Sequence, residues 1–247
     1  MKRYRGRTVI VTGAAGAIGA EIVERLAFEG AQVIITDVDG AACDRLAARL
    51  GGEHIPRQLD VTAEQAWIDA VAEIESRCGG LYGLVNNAAV ATAGSVVEES
   101  VPAWETVVAI GQTGTWLGMK HAGALIERSG GGSIVNVCSI LGTVGVPHSF
   151  AYHAAKGAVR GMTKSAAVHW ATAGVRVNSL HPGYIGTPRM LERLGDPAFR
   201  EATVGRTPMG RLGTAAEVAE AVAFVGGPGA GFMTGAELYI DGGLTAQ

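Results

Sequence analysis

The sequence predicts an α/β protein, a single doubly wound domain in which a seven-stranded parallel sheet carries helices on both faces. Three observations lead there. Short β-branched runs alternate with longer segments of helical period. The early runs are apolar throughout, as strands buried on both faces are. A glycine-rich turn follows the first run directly and opens the first helical segment.

In chain order, the runs that read as strands are 7–12, 32–36, 54–58, 82–86, 133–138, 175–180 and 237–240. Helical patterns fill 17–29, 40–50, 63–77, 102–128, 150–173 and 215–225. Thr62 and Gln65 ahead of an apolar-periodic run have the form of a capping box. Residues 183–213 are irregular and rich in Gly, Pro and Arg, longer than an ordinary connection, and read as a substrate lid with short helices of its own. No linker, internal repeat or low-complexity tract divides the chain, so residues 1–247 are expected to form one domain.

Composition narrows the function classes. Hydrophobic residues make up 48% of the 247 and charged residues 17%, enough for a large core and far from disorder. A net charge of −3 argues against nucleic acid as a partner. The basic start, Lys2, Arg3, Arg5 and Arg7, reads as a solvated chain end. Cys43, Cys78 and Cys138 form no C-x-x-C pair and fit free thiols in a reducing compartment. No stretch approaches the roughly 20 apolar residues of a membrane helix, and the run 9–11 is too short for a signal peptide core, so a cytoplasmic location is expected. The six histidines show no metal-ligand spacing, and no metal is expected.

Residues 12–19 read T-G-A-A-G-A-I-G, the form of a Rossmann-type phosphate turn. Gly13, Gly16, Ala17, Ile18 and Gly19 would let a pyrophosphate approach the backbone at a helix N-terminus. Asp37 ends the second strand, 18 residues after Gly19, where an acid accepts both ribose hydroxyls of an adenosine. Its charge repels a 2′-phosphate and no arginine stands at Ala14, Ala15 or Val38, so NAD is expected rather than NADP.

Tyr152 and Lys156 are four apart and share one helix face. A tyrosine titrating near about 10 is a poor acid or base at neutral pH, and a lysine one turn away would lower its pKa. Such a tyrosine could pass a proton to or from a substrate oxygen.

With these motifs in this order, nearly the whole chain resembles the short-chain dehydrogenase/reductase family. The resemblance adds Asp60 and Val61, in L-D-V-T, as adenine contacts, and Asn87, Ala88 and Ala89, in N-N-A-A, after the fourth strand. It implies a catalytic Ser139, 13 residues before Tyr152, and a P-G turn at Pro182 and Gly183. Ile185 follows as a further cofactor contact, and Thr187 is placed to meet the nicotinamide carboxamide. By the same resemblance Ser139 would stabilise charge on the substrate oxygen, Tyr152 would move the proton, and Lys156 would hold the nicotinamide ribose while tuning Tyr152. Two positions depart from the family pattern. Ala17 replaces the middle glycine of the first turn, and Gly111 in G-Q-T-G stands where an asparagine usually supports a proton-relay water, a role Gln112 or an extra water would have to fill.

Around His181–Gly183, Thr207–Arg211 and Thr234–Leu238 the chain is similar to bacterial NAD-dependent hydroxysteroid dehydrogenases. The pocket is expected to be lined by Ile140, Leu141, Val144, Val146, Phe150, Tyr184, Met190 and Leu191, an apolar set suited to an alicyclic or steroid-like secondary alcohol or ketone. No arginine is clearly placed for a substrate carboxylate, Arg189 being the nearest candidate. His148 is an exposed-loop or pocket residue, His153 points about 100° from Tyr152 around the helix, and Cys138 points away from Ser139 into the core. Trp104 and Trp116 fit a core or an interface, and the resemblance implies a homotetramer. A 3-oxoacyl-thioester reductase, and an NAD-binding scaffold without turnover, stay open as alternatives.

Overall fold

The computed structural model describes residues 2–247. Seven parallel strands, β1 (Thr8–Thr12), β2 (Gln32–Asp37), β3 (Ile55–Gln58), β4 (Gly83–Asn86), β5 (Gly132–Val137), β6 (Val175–Pro182) and β7 (Glu237–Ile240), form one sheet in the order β3-β2-β1-β4-β5-β6-β7. The order reverses between β1 and β4, which opens a crevice beyond their carboxyl ends. β1 is buried at every residue, as its uninterrupted apolar run requires.

One face of the sheet is covered by α1 (Ala17–Phe28), α2 (Gly40–Leu50) and α10 (Ala215–Val225), whose Ile22, Leu26, Leu46, Val218 and Val222 share a core cluster with Val9, Val11 and Ile35. The other face is covered by α3 (Glu64–Cys78), a rod spanning 101–128, and α7 (Phe150–Trp170). The rod joins α4 (Val101–Val108), α5 (Gly114–Gly118) and α6 (Ala124–Arg128) through π-helical turns at Ala109–Thr113 and Met119–Gly123. Its glycines admit close neighbours. A Cβ on Gly118 would lie 2.5 Å from Asn86 Oδ1, and one on Gly123 would lie 2.4 Å from the Trp170 ring.

Residues 183–213 carry α8 (Pro188–Arg193), α9 (Pro197–Arg200) and a π turn at Glu201–Gly205. The root of this segment is closed by a bridge between Ile185 and Gly213, with Gly186 N–H donating to Gly213 O and Gly213 N–H to Tyr184 O. Among the described residues, no helix is long and apolar enough to cross a membrane. Cys43, Cys78 and Cys138 are all free thiols.

Two local expectations need correction. Thr62 and Gln65 do not cap α3: the Thr62 hydroxyl and amide both bond Asp60 Oδ1, and Ala63 takes the cap position without a side-chain bond. The capping box occurs instead at Thr214 and Glu217. The basic start is not merely solvated, because Arg3 pairs with the buried Glu29 and the Arg7 guanidinium lies 4.0 Å over the Tyr82 ring.

Candidate active site

A cleft of about 1160 Å³ runs along the carboxyl ends of the strands, beneath α8 and α9. Its first wall is the turn after β1. Gly13 has φ +61°, and a Cβ there would meet Ala88 Cα at 2.8 Å. A Cβ on Gly19 would meet Gly13 O at 2.1 Å, so that helix packs against the turn only as glycine. At Gly16 the nearest atom to an added Cβ is Gly13 O at 3.4 Å. Gly16, Ala17, Ile18 and Gly19 line the cleft where α1 begins, and the open N–H groups of that helix end suit an anion.

The turn is tied to the neighbouring strand. Thr12 Oγ1 accepts the amides of Asn87 and Ala88 at 3.0 and 3.1 Å, while Asn87 Nδ2 donates to Thr12 O and Gly13 O. Ala89 continues the lining beyond them. Asp37, at the end of β2, is oriented by the Ala15 amide at 3.1 Å and the Asp39 amide at 3.2 Å. Asp60 and Val61 line the same end of the cleft. These residues form a backbone cradle beside a fixed acid, which fits the pyrophosphate and adenosine ribose of a nicotinamide dinucleotide.

At the far end, Ser139, Tyr152 and Lys156 meet on one wall. Ser139 follows β5 with extended backbone, and its Oγ accepts the Leu141 amide at 3.1 Å, leaving its own proton to donate into the cleft. Lys156 is only 2% exposed, and its Nζ donates to Val137 O at 2.7 Å, leaving two N–H bonds for other acceptors. Burial pushes the Tyr152 phenol up to about 12, the buried Cys138 thiol adds to the rise, and the Ser139 hydroxyl acts in the opposite direction. Burial holds the Lys156 ammonium below its ordinary value. The expected lowering of the Tyr152 pKa by Lys156 is not found, because desolvation governs both groups and Nζ sits 5.5 Å from the ring centroid, turned to the Val137 carbonyl.

Pro182, Gly183, Ile185 and Thr187 lead from β6 into the lid and line the cleft. Thr187 stands at the N-cap of α8, yet its hydroxyl makes no capping bond. Ile140, Leu141, Tyr184 and Met190 line the substrate end as expected. Val146 does not. Its amide is held by His153 Nε2 at 3.1 Å while His153 Nδ1 bonds Ser149 O at 2.8 Å, and this keeps the loop on a different flank of α7 from Tyr152. Val144, Phe150 and Leu191 also lie outside the cleft lining, Phe150 stacking near Trp104 with ring centroids 5.9 Å apart. His148 is exposed and lines the cleft.

Sequence reasoning missed the supports beneath this wall. The buried His181 bonds Ser139 O through Nδ1 at 3.0 Å and Ser179 Oγ through Nε2 at 2.9 Å, and stacks on Tyr239. Asn86 Nδ2 donates to Asn136 Oδ1 and Asn136 Nδ2 to Thr163 Oγ1, each at 2.9 Å, which locks β4, β5 and α7 together. Asparagine in the middle of an apolar strand was the available signal, since a buried amide needs partners. Gly111 is buried in the first π turn; its carbonyl accepts Thr115 Oγ1, and a Cβ there would meet only Ala155 Cβ, at an ordinary 3.5 Å. Cys138 is buried as expected, its thiol donating to Lys156 O.

This pairing of a nucleotide cradle with a Ser–Tyr–Lys wall defines an oxidoreductase, and the chain belongs to the short-chain dehydrogenase/reductase family. A family model described as Enoyl-(Acyl carrier protein) reductase matches residues 13–245. The chain is 43% identical to a cis-4-hydroxycyclohexanecarboxylate dehydrogenase of Sinomonas cyclohexanicum, covering 98% of each chain. It is 39% identical to a cyclopentanol dehydrogenase of Comamonas sp. (strain NCIMB 9872), covering 100% of both. Among solved structures, that of gox2181 superposes with a TM-score of 0.96 at 31% identity, over 100% of this chain and 98% of that one.

Proposed function

We propose that this protein is an NAD-dependent dehydrogenase that interconverts a secondary alcohol and a ketone on an alicyclic substrate. The carrying observation is the convergence of Ser139, Tyr152 and Lys156 on one wall of a cleft whose other end presents Asp37 beside a glycine cradle. Relatives named for a cyclopentanol and for a hydroxycyclohexanecarboxylate support the alicyclic class. NAD, when bound, supplies the hydride acceptor for the alcohol carbon. Gly13 through Gly19 hold its pyrophosphate, Asp37 its adenosine ribose, Asp60 and Val61 the adenine edge, and Lys156 the nicotinamide ribose. Asn87, Ala88, Ala89, Pro182, Gly183, Ile185 and Thr187 complete its bed.

Ser139 donates a hydrogen bond to the substrate oxygen and stabilises the negative charge that develops there. Tyr152 carries the proton: its phenol, protonated at neutral pH, donates to the carbonyl in reduction, and its phenolate accepts from the alcohol in oxidation. The apolar Ile140, Leu141, Tyr184 and Met190 hold the ring.

The enzyme acts in the cytoplasm as a homotetramer, with no nucleic acid or membrane partner. Its three free thiols and the exposed Val101, Trp104, Trp116 and Phe150 along the rod and α7 support this. Light scattering on the purified protein should give four times the chain mass, and a monomer would exclude the tetramer.

The test of function is absorbance at 340 nm with cyclopentanol and 4-hydroxycyclohexanecarboxylate as substrates and NAD or NADP as acceptor. Turnover with NAD, lost in Tyr152→Phe while NADH binding persists, is expected. Absence of turnover with either cofactor, or a preference for NADP, would overturn the respective half of the assignment.

A further inference from the structure

The acids lining the cleft, Asp37 and Asp60, both belong to its nucleotide end. At the substrate end no acid lines the wall, and two arginines do. Arg189 and Arg193 stand four residues apart on α8, so they share one helix face, and both line the cleft. Some exposed arginines find carboxylates, Arg128 with Glu75 and Arg211 with Glu217, while Arg5, Arg200 and Arg206 have none among the described residues, and of the unpaired ones only Arg189 and Arg193 line the cleft. Arg189 and Arg193 make no salt bridge and no side-chain hydrogen bond among the described residues. The Arg193 guanidinium instead lies 3.9 Å over the ring of Phe199, which lines the same cleft from α9. Stacking fixes the plane of a guanidinium and leaves its N–H edge free, the arrangement that grips a carboxylate with two parallel hydrogen bonds.

We propose that Arg189 and Arg193 bind a carboxylate on the substrate, so that the alcohol this enzyme handles is an alicyclic hydroxy acid. This rests on the dehydrogenase assignment and gives the substrate end its chemical selectivity. The ring lies on Ile140, Leu141, Tyr184 and Met190, and the acid group reaches the lid. Because α8 and α9 bring the arginines and Phe199, the carboxylate also draws the lid onto the occupied cleft. The one competing anion is the pyrophosphate of the cofactor, which the α1 end already receives.

The two anions separate in a binding experiment on the full chain. Calorimetry with cyclohexanecarboxylate and with cyclohexanol, with and without saturating NADH, is run on the wild type, Arg189→Gln and Arg193→Gln. Charge-assisted hydrogen bonds of about 1.5–3 kcal/mol predict that each variant weakens cyclohexanecarboxylate about 10- to 100-fold. Cyclohexanol and NADH affinities should stay within about threefold. Arg193→Lys should recover only part of the loss, since an ammonium cannot make the paired contact. Equal losses for the acid and the alcohol would make the arginines structural, a parallel loss of NADH would make them phosphate ligands, and no acid binding by the wild type would end the proposal. Arg-dependent acid binding without NAD-linked turnover would leave this site standing and overturn the dehydrogenase reading instead.

Discussion

The two ends of the cleft are built from different material. At the nucleotide end, backbone atoms do the shaping: Gly13 and Gly19 sit where no side chain fits, and Thr12 and Asn87 fasten the turn to β4. At the lid, side chains on α8 and α9, six and four residues long, do the shaping over an exposed backbone. A backbone cradle accepts few substitutions and serves one ligand, whereas a side-chain lid can change selectivity without disturbing the frame.

The sharpest break of this contrast is a methyl group. Gly19→Ala places Cβ 2.1 Å from Gly13 O, and is expected to weaken NADH binding by at least about 100-fold or to prevent folding. Gly195→Ala in the lid meets nothing within 4 Å and should shift stability by under about 0.5 kcal/mol. Fluorescence titration and thermal melts on both variants check the pair; equal effects would erase the distinction.

The pH profile is the next largest effect. The Tyr152 phenol, pushed up to about 12 by burial, is fully protonated at neutral pH and supplies the acid for reduction there. Oxidation needs the phenolate, so its rate should climb with pH with no plateau below about pH 9, while reduction stays flat over the same range. A bell centred near neutrality in the oxidative direction would contradict the burial of this group. Hydrogen exchange gives a third measure: amides of 183–213 should exchange at least about 100-fold faster than those of β1, β4 and β5.

Smaller effects lie away from the cleft ends. Gly111→Ala, with helical backbone and room for a methyl, should stabilise the protein by up to about 1 kcal/mol without loss of rate. Burial alone would raise the Glu237 carboxyl, but hydrogen bonds from Lys164 and Arg160 outweigh it and hold it at about 2 against an ordinary 4.5. The stabilisation from this depressed group is present above about pH 4.5 and fades as pH falls toward 2. Glu237→Gln should therefore lower the melting temperature at pH 7 and leave it unchanged near pH 2.

Every strand was legible to within two residues, the inner ones because each is a short apolar run closed by a turn residue, the edge strands β3 and β7 from their place between turn signals. The exception in length is β6, which continues through His181 and Pro182; a polar ring and a proline look like an ending, yet His181 is buried under Ser139 and Pro182 is a terminal position. Tyr152 and Lys156 were legible as a pair because a four-residue spacing on a helix puts both on one face, whereas Ser139, on another element, was expected only from the family resemblance. The π turns were not legible, since they change the hydrogen-bond partner without changing the apolar period. Val146 and Arg193 lay in loops and very short helices, where direction depends on partners distant in sequence, such as His153 and Phe199.

The packing of α10 against α1 has a consequence for how the protein is made. The cluster holding Tyr4, Ile22, Val23 and Leu26 is completed by Val218, Ala219, Val222 and Ala223, and Tyr4 Oη reaches Ala223 O at 3.0 Å. A ribosome therefore releases the first βα unit long before its apolar covering exists. Throughout that interval the nascent first helix presents an unburied stripe, the condition under which chains recruit chaperones or aggregate. The wall that would hold the cofactor's phosphates thus becomes water-tight only once residues near the end of the chain have emerged.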